Sequence, residues 1–270
     1  MLYTRFRHGD FEGYGLVEDG GVTPLEGDLF GEQRPSGQAL ALEDVRLLAP
    51  VARPGKILAA AVNYPSHVAG SQAMTGMAEA PKKPELFLKP SSSIVGPEET
   101  IVLPRDCGRV DYEGELVAVI GRACRGVSED EALVCVFGYT CGNDVSARHW
   151  QRDDLQWWRA KGSDTFSPIG PYVATGLDPA DLELRTRLNG REVQAANTGT
   201  LIHSVAALVA FASRVMTLEP GDLVFTGTPG VTSRLGDGDV VEVEIAGIGV
   251  LRNVVRAEVE GQGTKLGGRR

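Results

Sequence analysis

Residues 110–120 read VDYEGELVAVI, and this stretch decides how the chain can fold. Its second half, residues 116–120, is a run of aliphatic and β-branched residues that predicts a buried strand. Its first half places acids at every second position, Asp111, Glu113 and Glu115, and alternate side chains of a strand point to one face. Three such carboxylates repel one another unless a cation or basic groups neutralise them. The stretch predicts either a cation site or an exposed strand end whose acids pair with lysines and arginines.

Gly114 lies between two of these acids and removes a side chain from the opposite face of the strand. A glycine within a strand often marks a place where a ligand or another backbone comes close. We therefore expect a close approach at Gly114.

Composition and charge limit the classes of protein to which the chain can belong. It has 270 residues, enough for one large domain or for one domain with a small appendage. A net charge of −9 without a basic block argues against nucleic acid and membrane partners. No window approaches the roughly 18 apolar residues of a membrane span, and the charged start lacks the apolar segment of a signal peptide. Four cysteines without CxxC spacing argue against a zinc finger, so we expect a cytoplasmic protein with reduced thiols.

Short apolar segments separated by turn residues predict a β-dominated α+β fold. The 34 glycines and 15 prolines agree with many short strands, and the order of segments is not a βαβα alternation. A turn at residues 53–55, Arg-Pro-Gly, predicts a domain boundary. We expect a small β-rich N-terminal domain at residues 1–52 and a larger domain at residues 53–270.

Two helices interrupt the predicted strands. Ser128 and Glu131 form a capping box, which predicts a helix that continues to about Phe137. Ser204 precedes a second helix, which is apolar and is predicted over residues 205–216.

Asp144 is a candidate third ligand for a hard cation, together with Glu113 and Glu115. It follows an apolar segment, residues 133–141, that leads into a turn. Proteins usually hold Mg²⁺ with a few carboxylates, water and substrate oxygens. The alternative is that Asp144 caps a helix that begins near Ser146.

His67 and Lys161 are candidates for proton transfer and for the stabilisation of negative charge. His67 lies in residues 66–83, which lack apolar periodicity and are long enough to be a lid. An imidazole there would suit a general base, and a lysine would support a substrate carboxylate or a developing enolate. The alternative for each is an ordinary surface residue.

Taken in order, these segments resemble the motifs of the fumarylacetoacetate hydrolase superfamily over about residues 53–255. The matching segments are Asn63-Tyr64 with His67, Phe87–Ser92, Asp111–Leu116, Gly142–Arg148 with Gln151, Lys161–Asp164 and Thr226–Pro229. The resemblance implies a mixed β-roll or β-sandwich fold, usually as a homodimer, with Mg²⁺ or Mn²⁺ in the active site.

The resemblance also implies roles for individual residues, position by position. The implied metal ligands are Glu113, Glu115 and Asp144. The residues implied to hold a 2-oxo acid are Arg148, Gln151, Lys161 and Thr228. His67 matches the catalytic histidine of the lid, and Asp111 is left as a structural carboxylate beside the site.

Two positions depart from the family pattern. Many small members have a glutamate three residues after the histidine, which forms a His–Glu pair that activates water; this chain has Gly70 there, and Glu79 is the candidate to replace it. The family also often has aspartate where this chain has His149. The first departure bears on water-activated hydrolysis more than on metal binding.

The leading expectation is a Mg²⁺-dependent hydrolase of aromatic catabolism that cleaves a C–C bond of an acylpyruvate, a 2,4-dioxo acid such as fumarylpyruvate or maleylpyruvate. His67 would be its general base. The alternative, favoured by Gly70, is a decarboxylase, isomerase or lyase that acts on oxaloacetate, 2-hydroxyhepta-2,4-diene-1,7-dioate or ureidoglycolate. A further alternative is a metabolite-binding protein without catalysis.

Overall fold

The computed structural model describes residues 1–68 and 79–259, and strands dominate their regular structure. The strands are β1 (Leu2–His8), β2 (Phe11–Glu18), β3 (Gly21–Gly27), β4 (Gln33–Pro35), β5 (Leu40–Ala41), β6 (Arg46–Leu48), β7 (Ile57–Ala60), β8 (Leu86–Lys89), β9 (Ile94–Val95), β10 (Ile101–Leu103), β11 (Val110–Asp111), β12 (Gly114–Ile120), β13 (Val136–Asn143), β14 (Ser146–Ala147), β15 (Ser167–Ala174), β16 (Glu183–Leu188), β17 (Arg191–Asn197), β18 (Leu223–Phe225), β19 (Val240–Ile245) and β20 (Gly249–Ala257).

The helices in the described residues are few. They are α1, which includes residues 65–68, α2 (Glu129–Ala132), α3 (Arg148–Asp153), α4 (Trp158–Gly162) and α5 (Val205–Ser213). Single 3₁₀ turns occur at Leu42–Asp44, Ser91–Ser93, Leu133–Cys135 and Thr198–Thr200. None of the helices in the described residues is long and apolar enough to cross a membrane.

The described strands form one large sheet and two smaller ones. The large sheet has thirteen strands, with the main order β4-β3-β2-β1-β15-β13-β12-β18-β7-β8. A second sheet has the order β10-β20-β19-β16-β17, and β11 pairs with β14. Most pairs are antiparallel, but β18–β7, β10–β20 and β15–β9 are parallel. The predicted β-dominated mixed fold is therefore confirmed.

Strand β12 is the centre of the large sheet, and all seven of its residues are buried. Because side chains alternate across a strand, Leu116, Ala118 and Ile120 face one apolar cluster while Val117 and Val119 face another. The first cluster is shared with α5 and with the five-stranded sheet, and the second with β7, β15 and β18. A strand that is covered on both faces accounts for the continuous apolar run in the sequence.

The N-terminal strands β1–β6 are joined to the rest of the fold by one strand pair. Leu2 and Tyr3 of β1 lie opposite Ala174 and Val173 of β15, so β1 extends the large sheet. The domain boundary at residue 52 stays a prediction.

The predicted helix that begins after Ser128 is wrong in length. The capping box forms, but α2 ends at Ala132, and a single 3₁₀ turn leads into β13. The carbonyl of Cys135 accepts hydrogen bonds from the backbone N–H groups of Gly121 and Arg122, which holds this segment against the end of β12. Phe137 lies in β13, in agreement with the strand preference of β-branched and aromatic residues.

The second predicted helix forms as α5 but ends at Ser213 rather than at Met216. The Ser204 side chain accepts a hydrogen bond from the backbone N–H of Ala207 at 3.1 Å, as expected of an N-cap.

Candidate metal and substrate site

The structure brings the three predicted metal ligands together at one end of the β12–β13 pair. Glu113 precedes β12, Glu115 is its second residue, and Asp144 follows β13 directly. Gly114 lies opposite Asn143 in the antiparallel register, so the two strand ends coincide. One carboxylate oxygen from each of the three acids lies within 4.8 Å of the others, and all three residues are buried. The acids therefore form a compact cluster inside the protein rather than an exposed strand end.

The alternative role of Asp144 as a helix cap does not hold. Helix α3 begins at Arg148, and its N-cap residue is Ala147. The Asp144 carboxylate instead accepts hydrogen bonds from the ammonium groups of Lys89 and Lys161, the latter at 2.6 Å.

Glu113 is also paired with two basic groups. Lys161 Nζ donates to its Oε2 at 2.5 Å, and Arg148 Nη2 donates to its Oε1 at 2.6 Å. Burial raises the pKa of the Glu113 carboxyl, but the charges of Lys161, Arg148 and then His67 outweigh burial and hold that pKa below its usual range. Burial lowers the pKa of Lys161, but the Asp144 and Glu113 carboxylates outweigh burial and raise that pKa above its usual value, so this lysine stays charged.

Glu115 differs from the other two acids because no basic group pairs with it in the described residues. Its Oε2 accepts a hydrogen bond from the Gly227 N–H at 2.7 Å, whereas its Oε1 is buried and has no partner there. Burial, and then the neighbouring Asp144 and Glu113 carboxylates, raises the pKa of Glu115 well above its usual value. A buried charged carboxylate is costly without a compensating cation.

This arrangement fits a divalent metal ion. Carboxylate oxygens are the donors that Mg²⁺ and Mn²⁺ prefer, and three of them converge here. The unpaired Oε1 of Glu115 is the oxygen that a cation would satisfy. The site could therefore hold such an ion through Glu113, Glu115 and Asp144.

Arg148 and Gln151 lie beside the carboxylates and are held by their neighbours. Arg148 donates to Gln151 Oε1 at 2.8 Å, to Thr232 Oγ1 at 2.7 Å and to Asp111 Oδ2 at 2.9 Å. Thr232 also donates to Asp111 Oδ2 at 2.8 Å. Asp111 therefore acts as the structural carboxylate that fixes the Arg148 guanidinium beside Glu113.

His67 is held by a backbone carbonyl rather than by an acid. It lies in α1, and its Nδ1 is 2.7 Å from the carbonyl oxygen of Gly230. The Gly230 N–H donates to Ser66 Oγ at 3.0 Å, so α1 and this loop hold each other. No carboxylate among residues 1–68 and 79–259 hydrogen-bonds to His67, and Glu79 is exposed. Gly70 lies outside the described residues.

Thr228 lies in the loop at residues 226–230, which covers the first residues of β12. Its Oγ1 donates to the Gly114 carbonyl at 2.9 Å and accepts from Gln194 Nε2 at 2.8 Å. The hydroxyl proton is thus committed to Gly114, and the loop is fixed next to Glu115.

Four residues near the site were not singled out from the sequence. They are Tyr64, Lys89, Gln194 and Thr232. Lys89 lies in the matching segment Phe87–Ser92. A lysine in such a segment was a signal that could have indicated a partner for the acid cluster, and its ammonium does bind Asp144. Tyr64 lies next to Asn63, and its hydroxyl is buried without a partner in the described residues. Burial, and then the charge of Glu115, raises the pKa of Tyr64. As a buried hydroxyl without a described partner, it is a candidate donor to a ligand.

The close approach expected at Gly114 is present. A Cβ atom at Gly114 would lie 2.1 Å from Thr186 Oγ1 of the five-stranded sheet. We expect Gly114→Ala to destabilise the protein by about 1–3 kcal/mol in urea unfolding, because the buried sheets must separate. The double variant with Thr186→Ala removes the clashing atom and should recover most of that loss. An equal loss in both variants would show that another contact requires the glycine.

Comparisons with known proteins agree with these observations. Residues 56–256 match the family described as fumarylacetoacetate (FAA) hydrolase C-terminal, and residues 1–50 match the family described as Rv2993c-like, N-terminal. A mitochondrial oxaloacetate tautomerase of Xenopus laevis is 40% identical over 228 residues, which cover 80% of this chain and 70% of that protein.

Two solved structures share the whole fold. The crystal structure of a 5-carboxymethyl-2-hydroxymuconate delta-isomerase from Mycobacterium smegmatis has a TM-score of 0.88 and 43% identity, and covers 96% of this chain and 100% of that chain. A maleylpyruvate hydrolase from Sphingobium sp. SYK-6, solved with manganese(II) and pyruvate, has a TM-score of 0.78 and 29% identity over the same shares. The match to residues 56–256 and these relatives show that the chain belongs to the fumarylacetoacetate hydrolase family.

Proposed function

We propose that this protein is a metal-dependent enzyme that isomerises a 2-oxo acid by moving a proton at C3. The observation that carries this proposal is the hydrogen bond between His67 Nδ1 and the Gly230 carbonyl. A carbonyl oxygen only accepts, so Nδ1 carries a proton, and in the neutral imidazole Nε2 then has a free electron pair. In this form His67 can act as a base for a single proton transfer at Nε2.

The charged residues of the site are suited to a 2-oxo acid. A bound Mg²⁺ or Mn²⁺ would act as a Lewis acid towards the carboxylate and 2-oxo oxygens. Lys161 and Arg148 place two further positive charges beside Glu113. These cations would attract the substrate carboxylate and stabilise the negative charge that develops when C3 loses its proton.

The sequence near His67 favours isomerisation over hydrolysis. Residues 69–78 contain no aspartate or glutamate, and no described carboxylate pairs with the imidazole. Hydrolysis needs a water that is activated to attack the C4 carbonyl, and an imidazole–carboxylate pair supplies this activation in acyl transfer and hydrolysis. Isomerisation needs only removal of a proton and its return at a second atom. The tautomerase and isomerase relatives are in keeping with this choice.

The second candidate is C–C hydrolysis of an acylpyruvate such as fumarylpyruvate or maleylpyruvate. This second candidate is supported by the similarity of the fold to that of the maleylpyruvate hydrolase from Sphingobium sp. SYK-6. Both reactions draw on the same stabilised enolate. Isomerisation forms it by loss of the C3 proton, whereas hydrolysis forms it as the leaving group when water adds to the C4 carbonyl and the C3–C4 bond breaks. We also propose a homodimer and a cytoplasmic location, which rest on the family and on the reduced thiols.

The test is to incubate the protein and Mn²⁺ or Mg²⁺ with oxaloacetate, 2-hydroxyhepta-2,4-diene-1,7-dioate, fumarylpyruvate and maleylpyruvate in D₂O. Isomerisation predicts catalysed keto–enol interconversion with deuterium entering C3, or double-bond interconversion of the dienoate with deuterium entering C3 or C5, and no cleavage in either case. Release of pyruvate with uptake of one water would favour the hydrolase instead. A protein that binds Mn²⁺ and oxalate but neither exchanges a C3 proton nor releases pyruvate would contradict both reactions and support the metabolite-binding alternative.

A further inference from the structure

We propose that Gln194 is a positioning residue for the metal site, although it lies on β17 in the other sheet. Its side-chain amide is buried and makes three hydrogen bonds. Oε1 accepts from the Gly114 N–H at 3.1 Å, while Nε2 donates to Thr228 Oγ1 at 2.8 Å and to the Pro229 carbonyl at 2.7 Å. One amide thus joins the start of β12 to the loop at residues 226–230.

The orientation of this amide is determined by its partners. If oxygen and nitrogen exchanged places, two N–H donors would meet at Gly114 and two acceptors would meet at Pro229. Only a group with one acceptor and two donors at this reach satisfies all three contacts. Glutamate would keep the contact with Gly114 but would lose both donors, and an apolar side chain would lose all three hydrogen bonds.

The side chains of Gln194 and Thr228 bind the backbone at the start of β12, on the edge where no neighbouring strand is described. Strand β18 pairs with β12 only at residues 117–119, and the Thr226 N–H then donates to the Leu116 carbonyl at 3.1 Å. Beyond that point no strand covers this edge of β12 in the described residues. The Gly114 N–H is instead bound by Gln194, and the Gly114 carbonyl by Thr228.

The position of Gly114 matters because Glu113 and Glu115 flank it. Fixing both backbone groups of Gly114 fixes the separation of two carboxylates of the cluster. The same loop supplies the Gly227 N–H that holds Glu115 Oε2. Groups that orient metal ligands typically change metal affinity or activity about 10- to 100-fold when they are lost.

The test compares Gln194→Met with Thr186→Val. Thr186 lies on the adjacent strand β16, is equally buried beside Gly114, and has no hydrogen-bond partner for its Oγ1 in the described residues. We expect Gln194→Met to raise the Mn²⁺ dissociation constant about 10- to 100-fold, measured well below the unfolding temperature. Thr186→Val should bind Mn²⁺ like the wild type. Wild-type affinity in Gln194→Met would overturn the proposal.

Two further measurements separate positioning from general loss of stability. In the metal-free protein, hydrogen exchange should accelerate in peptides that contain residues 113–115 and 226–230 in Gln194→Met, but not in Thr186→Val. In a double-mutant cycle, the losses in Thr228→Val and Gln194→Met should be less than additive, because the two side chains hydrogen-bond to each other and hold the same residue, Gly114. Unchanged exchange, or fully additive losses, would overturn the proposal.

The assignment deepens the proposed function but does not share its failure. If the wild type turns over none of the 2-oxo acids above, the isomerase proposal fails, while Mn²⁺ affinity and hydrogen exchange still test Gln194. If the wild type does turn over a substrate, Gln194→Met should lower kcat more than it raises KM. Misplaced carboxylates should weaken stabilisation of the transition state more than they weaken substrate binding.

Discussion

Replacing Glu115 by glutamine is expected to weaken Mn²⁺ binding by more than about 100-fold and to abolish turnover, without destabilising the metal-free protein. Glu115 is the one carboxylate of the cluster that no described basic group pairs with, and its Oε1 has no partner among the residues that the structure describes. In the absence of a cation its charge is a cost, because the residue is buried beside two other acids. Glutamine removes the charge and can still accept the Gly227 N–H. The same change therefore removes a ligand and relieves a repulsion.

Glu113→Gln is the matched comparison for this experiment. It also removes a ligand, but it takes one of two carboxylate partners from Lys161, which keeps Asp144, and from Arg148, which keeps Asp111. Breaking a buried ion pair on one side costs about 3–5 kcal/mol, so this variant should lose both Mn²⁺ affinity and stability. Mn²⁺ titration together with thermal unfolding in a chelator separates the two effects. If the unfolding temperature of Glu115→Gln in the chelator is well below that of the wild type, the Glu115 carboxylate stabilises the metal-free fold and is not reserved for a metal ion.

The convergence of the acids could be predicted from the sequence because it depends on local rules. Alternation along β12 places Glu113 and Glu115 on one face, and an acid at the end of the next apolar segment lies beside them when the two strands pair antiparallel. The unequal roles of the acids could not be predicted. They depend on Lys89, Arg148 and Lys161, which come from β8, α3 and α4, and no local pattern gives those distances.

The fold was predictable at the level of its class and less so at element boundaries. The apolar run at residues 116–120 predicted a buried strand, and the alternation that divides it between two clusters follows directly. The helix after Ser128 was predicted too long, because its apolar residues suit either a helix or a strand and only the pairing with β12 decides between them. Gln194 was missed because its role also depends on contacts between distant parts of the chain. In sequence it is one polar residue of an ordinary strand, and its partners Gly114 and Thr228 are distant along the chain.

The largest expected effect on the rate without loss of the metal comes from His67→Ala. A positioned general base contributes about 10²- to 10⁴-fold to the rate, so kcat should fall by that factor. The carboxylates, Lys161 and Arg148 remain in place, so the affinity for Mn²⁺ and for oxalate should change little. Deuterium exchange at C3 should fall in parallel with kcat, because the same proton transfer limits both.

His203→Ala is the control for this variant. The Nε2 of His203 lies 3.0 Å from the Pro81 carbonyl, so this variant also removes a histidine whose ring contacts a backbone carbonyl. It should leave kcat near the wild-type value, since no carboxylate of the cluster contacts it in the described residues. If oxalate affinity falls in His67→Ala as much as the rate does, His67 binds the substrate and another group removes the proton. If the rate falls while C3 exchange persists, another group removes the C3 proton, and water activation in the hydrolase becomes the better account of the role of His67.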